Sequence, residues 1–243
     1  MKAIILAAGR GSRLQGFTED KPKCLNYLGD KTILERQVSV LRSAEIDNII
    51  IVTGYKAEML KKFRFKAYTN PRWAKTNVLR SLLSASDEFT EPAIISYSDI
   101  FYSRDAVSRL IREDKDAVVV YDLDWKKLWS ARFKNPLDDA ESFKIGPDNR
   151  IIEIGKRVKS MDEIEGQYTG LMRFTPKAFG WIKDFAAKQK DEILDKMDMT
   201  LLLGNLITLG HPIYGMAIKG GWCEIDTERD LELANSLIMK GRP

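Results

Sequence analysis

Ala3-Ile4-Ile5-Leu6-Ala7-Ala8-Gly9-Arg10-Gly11-Ser12-Arg13, with Pro22-Lys23 a short way on, is the most informative stretch of this chain. Ala3 to Leu6 is an unbroken apolar run that closes in small residues, the composition of a strand buried on both faces of a parallel sheet. The loop that follows offers successive backbone N–H groups, and such groups cradle phosphate oxygens. Gly9 and Gly11 let the backbone approach a ligand closely and take up positive φ. Arg13 adds a planar fork suited to phosphate, and Lys23 a compact charge able to reach the same oxygens. The loop is not a Walker A motif, because G-x-x-x-x-G-K-[ST] is absent. Nor is it a dinucleotide fingerprint, because Leu14 stands where G-x-G-x-x-G needs its third glycine.

Outward from this loop, strands alternate with helices. Thr32-Ile33-Leu34-Glu35 has capping-box form and predicts a helix to about Ala44. Asn48 to Thr53 reads as a buried strand ended by Gly54, Ala57–Phe63 and Asn77–Ala85 as helices, and Ala93–Tyr97 and Ala117–Tyr121 as further strands. This spacing predicts an α/β fold with a mostly parallel mixed sheet and helices on both faces. Ligands then bind beyond the carboxyl ends of the strands, where the loops after Leu6, Thr53 and Tyr97 meet. From Asp122 the pattern changes. Trp125 to Phe133 is aromatic and basic. Phe143–Ile145 and Ile151–Ile154 are short strands flanking a turn at Pro147-Asp148-Asn149, and Gly170–Phe174 is another strand. Helices are expected near Lys177–Lys188 and Met199–Leu209, strands at Ile213–Ile218 and Trp222–Ile225, and a last helix from about Thr227 to Met239. With no repeat, linker or low-complexity stretch, 1–243 reads as a single domain.

The net charge is +4, from 39 Lys plus Arg against 35 Asp plus Glu, too small an excess to imply nucleic acid. Cys24 and Cys223 have neither disulfide-framework nor metal-type spacing and fit a reducing compartment. The first apolar run is too short for a secretory h-region, and no stretch approaches a membrane span, so a cytoplasmic protein is expected. His211, the only histidine, precedes Pro212 in a turn and is given no catalytic role. Lys61, Lys62, Arg64 and Lys66 read as a solvated face.

The pattern of strand, L-A-A-G-x-G-x-R and P-K resembles the signature of the sugar-phosphate nucleotidyltransferases, a Rossmann-like fold of GT-A type. The likeness continues through Val52-Thr53-Gly54-Tyr55, Asn70-Pro71, Asn77-Val78-Leu79-Arg80-Ser81-Leu82, Ser98-Asp99 and Trp222-Cys223-Glu224-Ile225-Asp226-Thr227. Within that family the chain is most similar to small cytidylyltransferases acting on phosphocholine, aminoethylphosphonate or phosphoglutamine. Trp125-Lys126-Lys127-Leu128-Trp129, Asn135 to Glu141, Glu165-Gly166-Gln167-Tyr168 and Met197-Asp198-Met199-Thr200 resemble the phosphoglutamine type in particular.

The resemblance implies transfer of CMP from CTP to a small phosphorylated acceptor, with release of pyrophosphate. It implies Mg²⁺ on Asp99 and Asp226, Lys23 against the charge at the α-phosphorus, and Arg13 with the loop amides on the leaving pyrophosphate. The nucleotide set it implies is Leu6, Ala7, Ala8, Gly9, Gly11, Ser12, Arg13, Lys23, Gly54, Asn77 and Ser81. Acceptor contacts are expected in a region around 122–215 and at Trp129, Arg132, Glu141, Lys156, Glu165 and Asp198. Other readings stay open. Asp99 could close its strand as an Asx-turn, and Asp226 could cap the last helix. Trp125 and Trp129, at i and i+4, could pack in the core or cage a quaternary ammonium, while Arg132 beside them suits an acceptor carboxylate. A guanylyl- or uridylyltransferase acting on a sugar or heptose 1-phosphate keeps the same motifs. A GT-A glycosyltransferase usually carries Asp-x-Asp where Ser98-Asp99-Ile100-Phe101 has one acid. A non-catalytic nucleotide sensor is the remaining class. Oligomeric state is open, with a homodimer among the options.

Overall fold

The computed structural model describes residues 1–239. The chain begins with β1 (Lys2–Ala7), a short hairpin of β2 (Tyr27–Leu28) and β3 (Lys31–Thr32), and α1 (Ile33–Ser43). Next come β4 (Ile49–Thr53), β5 (Lys66–Thr69), α2 (Val78–Ser84), β6 (Ala93–Tyr97), β7 (Ile100–Tyr102), α3 (Arg104–Arg112) and β8 (Ala117–Asp122). The second half holds α4 (Trp125–Arg132), β9 (Glu141–Ile145), β10 (Ile151–Arg157), β11 (Gln167–Phe174), α5 (Pro176–Ala187), α6 (Asp191–Lys196), α7 (Met199–Thr208), β12 (Tyr214–Ile218), β13 (Trp222–Glu224) and α8 (Glu228–Met239).

One seven-stranded sheet runs in the order β12-β8-β11-β6-β1-β4-β5. The apolar strand read from Ala3 to Leu6 lies within β1, which pairs in parallel with β4 (Ala3↔Ile49 to Ala7↔Thr53) and β6 (Lys2↔Ala93 to Leu6↔Tyr97). β5 adds to β4 in parallel. β11 runs antiparallel to both β6 and β8, and β12 lies parallel to β8. The sheet is therefore mixed and mostly parallel, as expected. The run Ala57–Phe63 is a 3₁₀ helix rather than α, entered and left through left-handed Lys56 and Arg64. In the solvated face, Lys61, Lys62, Arg64 and Lys66 are all exposed, and Lys66, which opens β5, pairs with Glu88 at 2.5 Å.

Two local features set up the site. The capping box at α1 forms as read, with the Thr32 hydroxyl accepting the Glu35 N–H and the Glu35 carboxylate accepting the Thr32 N–H. This fixes the start of the helix that carries Gln37. The other is the short antiparallel ladder of β13 on β7, pairing Trp222 with Tyr102, Cys223 with Phe101 and Glu224 with Ile100. A second apolar cluster, including Leu14, Leu28, Phe101, Ile225 and Leu231, seats α8 and the glycine-rich loop against this ladder.

Candidate active site

The carboxyl ends of β1 and β6 and the turn after β5 open onto a cleft of about 190 Å³, and the loop expected there after Thr53 lies behind its wall. Of the residues expected at a nucleotide, Leu6, Ala8, Gly9, Gly11, Lys23, Asn77 and Ser81 line it, and so does Asp99, expected at the metal. Trp73, Thr76, Val78 and Tyr97 also line it and were not foreseen. The signal was an aromatic residue between two quoted segments, Asn70-Pro71 and Asn77-Val78. Asn70 shapes this wall. It is buried, accepts the Arg72 N–H and donates to the Thr76 and Ser81 hydroxyls at 2.9 and 3.2 Å.

The glycines divide into different roles. Gly11 has φ 71°, and a Cβ there would lie 2.4 Å from Lys23 Cε, so the lysine crosses the loop where only glycine fits. Gly9 does not take the expected positive φ, and the space beside its Cα is open. Gly54 supports the wall rather than lining it, since a Cβ would lie 2.5 Å from the Ala8 carbonyl oxygen and 2.7 Å from Trp73 Cβ. Ala7 is buried in the sheet, and Ser12 and Arg13 are exposed on the 3₁₀ turn beyond the cleft.

Lys23, Asp99 and Asp226 come together at the edge of this cleft. The Lys23 ammonium donates to Asp99 Oδ2 at 2.9 Å and to Asp226 Oδ1 at 2.6 Å, across sequence separations of 76 and 203. Gln37 donates to the carbonyls of Tyr97 and Ile100, both at 2.7 Å, and so holds the turn that carries Asp99. The Ile225 N–H donates to the Asp99 carbonyl at 2.9 Å, extending the β7–β13 ladder to the residue before Asp226. Lys23 is buried, which works against its charge. The two carboxylates outweigh burial and hold its pKa above the usual lysine range.

Both structural alternatives for the aspartates fail. Asp230, not Asp226, accepts the N–H groups that open α8, at 3.0 Å from Asp226 and 2.9 Å from Thr227, while the Thr227 hydroxyl accepts the Asp230 N–H. The Asp226 carboxylate instead faces Lys23 and, at 2.9 Å, Arg13. Asp99 makes no Asx-turn. One oxygen faces Lys23, and the other is buried without a hydrogen-bond partner among the described residues.

Two expected acceptor contacts are corrected. Trp129 is buried and stacked on Trp222, with ring centroids 5.8 Å apart, so the core reading of the tryptophan pair holds. The Arg132 guanidinium is wholly enclosed, 3.0 Å from both Glu224 and Asp230, and meets no ligand surface. Residue type suggested contact in each case, but burial decided otherwise. Lys156 is exposed and pairs with Glu153 at 2.7 Å, and Glu165 accepts the Ile145 N–H at 2.7 Å. Neither forms an ion pair or hydrogen bond with the Lys23 group among the described residues.

Glu141 lies near enough to Asp198 for the two charges to repel, and the Thr200 hydroxyl donates to Asp198 at 3.2 Å. Burial raises the Glu141 pKa, and the neighbouring charges of Asp198 and Asp139 add to this. Asp198 caps α7, accepting the Leu201 N–H at 2.8 Å. Glu224 is pushed up to about 8 by burial and by the Asp226 charge, against the pull of Arg132.

A mostly parallel sheet, a glycine loop at its carboxyl edge and a lysine held between two aspartates define a nucleotidyltransferase. Residues 3–151 match the family model of the MobA-like NTP transferase domain, and the chain belongs to that family. It is 39% identical to the CTP:phosphoglutamine cytidylyltransferase of Campylobacter jejuni subsp. jejuni serotype O:2, over 96% of this chain and 98% of that protein. This bears out the resemblance to small cytidylyltransferases. The fold is also that of a CTP:phosphocholine cytidylyltransferase from Streptococcus pneumoniae, with TM-score 0.69, 22% identity and 98% of each chain covered. It is likewise that of an inositol-1-phosphate CTP transferase from T. maritima, with TM-score 0.77, 18% identity, and 100% and 97% covered. No helix among the described residues is long and apolar enough to cross a membrane.

Proposed function

We propose that this chain transfers CMP from CTP to a small phosphorylated acceptor, phosphoglutamine foremost, and releases pyrophosphate. The observation that carries this reading is the Lys23 ammonium held between Asp99 and Asp226 beside the glycine loop. The acceptor phosphate oxygen attacks the α-phosphorus, and the bond to the β-phosphate oxygen breaks. The attacking phosphoryl oxygen is already anionic at neutral pH, so no histidine base is needed. The work left to the protein is positioning and charge neutralisation. The loop amides from Ala8 to Gly11 cradle the triphosphate. Lys23 offsets charge on the α-phosphoryl oxygens. Arg13, 63% exposed, is free to exchange Asp226 for the departing pyrophosphate.

Asp99 and Asp226 fit a divalent cation, since Mg²⁺ takes one or two carboxylates and fills its octahedron with water and phosphate oxygens. The unpartnered buried oxygen of Asp99 suits a cation ligand. Bound there, Mg²⁺ would neutralise and orient the phosphates. On the acceptor side, in the region 122–215, Glu141 and Asp198 favour an acceptor with an ammonium group, which phosphoglutamine and phosphocholine share. We take 1–243 as one domain working in the cytoplasm, where nucleoside triphosphates are held. Pyrophosphate release with Mg²⁺, each nucleoside triphosphate and a panel of phosphorylated acceptors tests this reading. Turnover confined to CTP with an ammonium-bearing acceptor is expected. Turnover confined to GTP or UTP with a sugar phosphate would overturn the substrate assignment.

A further inference from the structure

We propose that Arg132 is a positioning residue for the Asp226 carboxylate, clamping the strand end, turn and helix start that carry it. The inference rests on the reading of Asp226 as a metal-holding residue given above. Arg132 lies on α4, far in sequence from the segment it grips. Its side chain has no exposed surface. Nη1 donates to Glu224 at 3.0 Å, Nε to Asp230 Oδ1 at 3.0 Å and Nη2 to Asp230 Oδ2 at 3.4 Å, while Nη2 is 3.6 Å from Asp226 Oδ2. Trp129 and Phe133 pack on the guanidinium, at 4.8 and 5.0 Å from its central carbon.

The arrangement reaches the Asp226 backbone as well as its side chain. Asp230 Oδ2 accepts the N–H of Asp226 at 3.0 Å, so the guanidinium holds the carboxylate that holds the peptide of Asp226. A single ion pair would tie α4 to α8. Here one planar fork hydrogen-bonds two carboxyl groups, Glu224 and Asp230, that flank Asp226 in sequence, and lies 3.6 Å from the Asp226 carboxylate that binds Lys23. Lysine, with one point charge, has no fork to match them. Enclosing so much charge is costly unless the geometry is well matched, which makes the clamp sensitive to conservative change.

The test compares wild type, Arg132→Lys and Asp226→Asn by the electron paramagnetic resonance of free Mn²⁺ during titration with CTP present and no acceptor. The same proteins are assayed for kcat and KM with Mg²⁺. Partners that orient a metal-holding residue typically contribute 10–100-fold in affinity or rate. Arg132→Lys should therefore bind Mn²⁺ about tenfold more weakly and lose about 10–100-fold in kcat, with KM for CTP within about twofold. Wild-type Mn²⁺ affinity in Arg132→Lys, while Asp226→Asn loses binding, would overturn the inference and leave the metal reading standing. Wild-type protein that takes up no Mn²⁺ with CTP would overturn the metal reading itself. If Arg132→Lys does not fold, Asp230→Asn keeps Arg132 but weakens its link to the Asp226 peptide. It should also weaken Mn²⁺ binding, and unchanged binding would count against the clamp.

Discussion

Gly11 and Lys23 are one device at the scale of single residues. The lysine reaches the two aspartates only by crossing the loop over a residue with no Cβ, and that residue has φ 71°. In Gly11→Ala the new carbon would meet Lys23 Cβ at 2.9 Å as well as Cε at 2.4 Å, so a swing of the side-chain tip does not relieve the clash. The left-handed backbone adds about 1–2 kcal/mol of folding cost for a non-glycine residue. We expect a moderate fall in melting temperature and, on the role proposed for Lys23, a loss of about 10–100-fold in kcat, since a preorganised charge is displaced from the reacting phosphorus. Unchanged kcat in folded Gly11→Ala would show that Lys23 does not need its observed path. Lys23, Asp99 and Asp226 were legible because each sits in a local motif. Trp73 and Tyr97 were not, because a wall is made by side chains from separate loops. Arg132 was misplaced because a residue's charge is visible in a sequence and its burial is not.

Elements were legible where their signals are local. The apolar run in β1, the capping box of α1 and the helix opened by Asn77 all formed where read. β5 was missed because its residues, Lys66-Ala67-Tyr68-Thr69, are those of an exposed edge, and edge strands carry charge for good reason. Its attachment explains the choice. Glu88 receives Lys2 from β1 at 3.1 Å, and Lys66 and Tyr68 from β5 at 2.5 and 2.6 Å. Burial alone would raise the Glu88 pKa, but the hydrogen bonds from Lys66, Tyr68 and Lys2 outweigh it and lower it from 4.5 to about 2. A folded-state pKa below the unfolded value contributes stability above the unfolded pKa, and that stability is lost as pH falls through the folded one. The contribution should be full above about pH 4.5 and should disappear towards pH 2. Glu88→Gln should cost roughly 1–3 kcal/mol at neutral pH and flatten the acid limb of melting temperature against pH. Parallel acid limbs in the two proteins would contradict this.

At the scale of the whole molecule, the sheet has two halves with different work. The parallel half, β6-β1-β4-β5, places the loops that we assign to the nucleotide at one edge. The remainder, in which β11 reverses direction, carries the 122–215 region that we assign to the acceptor. The chain then returns through the β7–β13 ladder to bring Asp226 to Lys23 across a separation of 203 residues. The strand itself was read at Trp222–Ile225, but its return to β7 is announced by no local pattern, because its partner is distant in sequence. Only the resemblance of Trp222 to Thr227 pointed to it. Joining the two halves at one lysine and two aspartates is the central claim, and ³¹P NMR tests it most directly. With CTP, Mg²⁺ and phosphoglutamine, the wild-type enzyme should convert the α-phosphorus of CTP into a new acceptor-linked diphosphate, with one pyrophosphate per product. Folded Asp99→Asn and Asp226→Asn should each be slowed by at least about a hundredfold. The same product formed at wild-type rate by either variant would contradict the account.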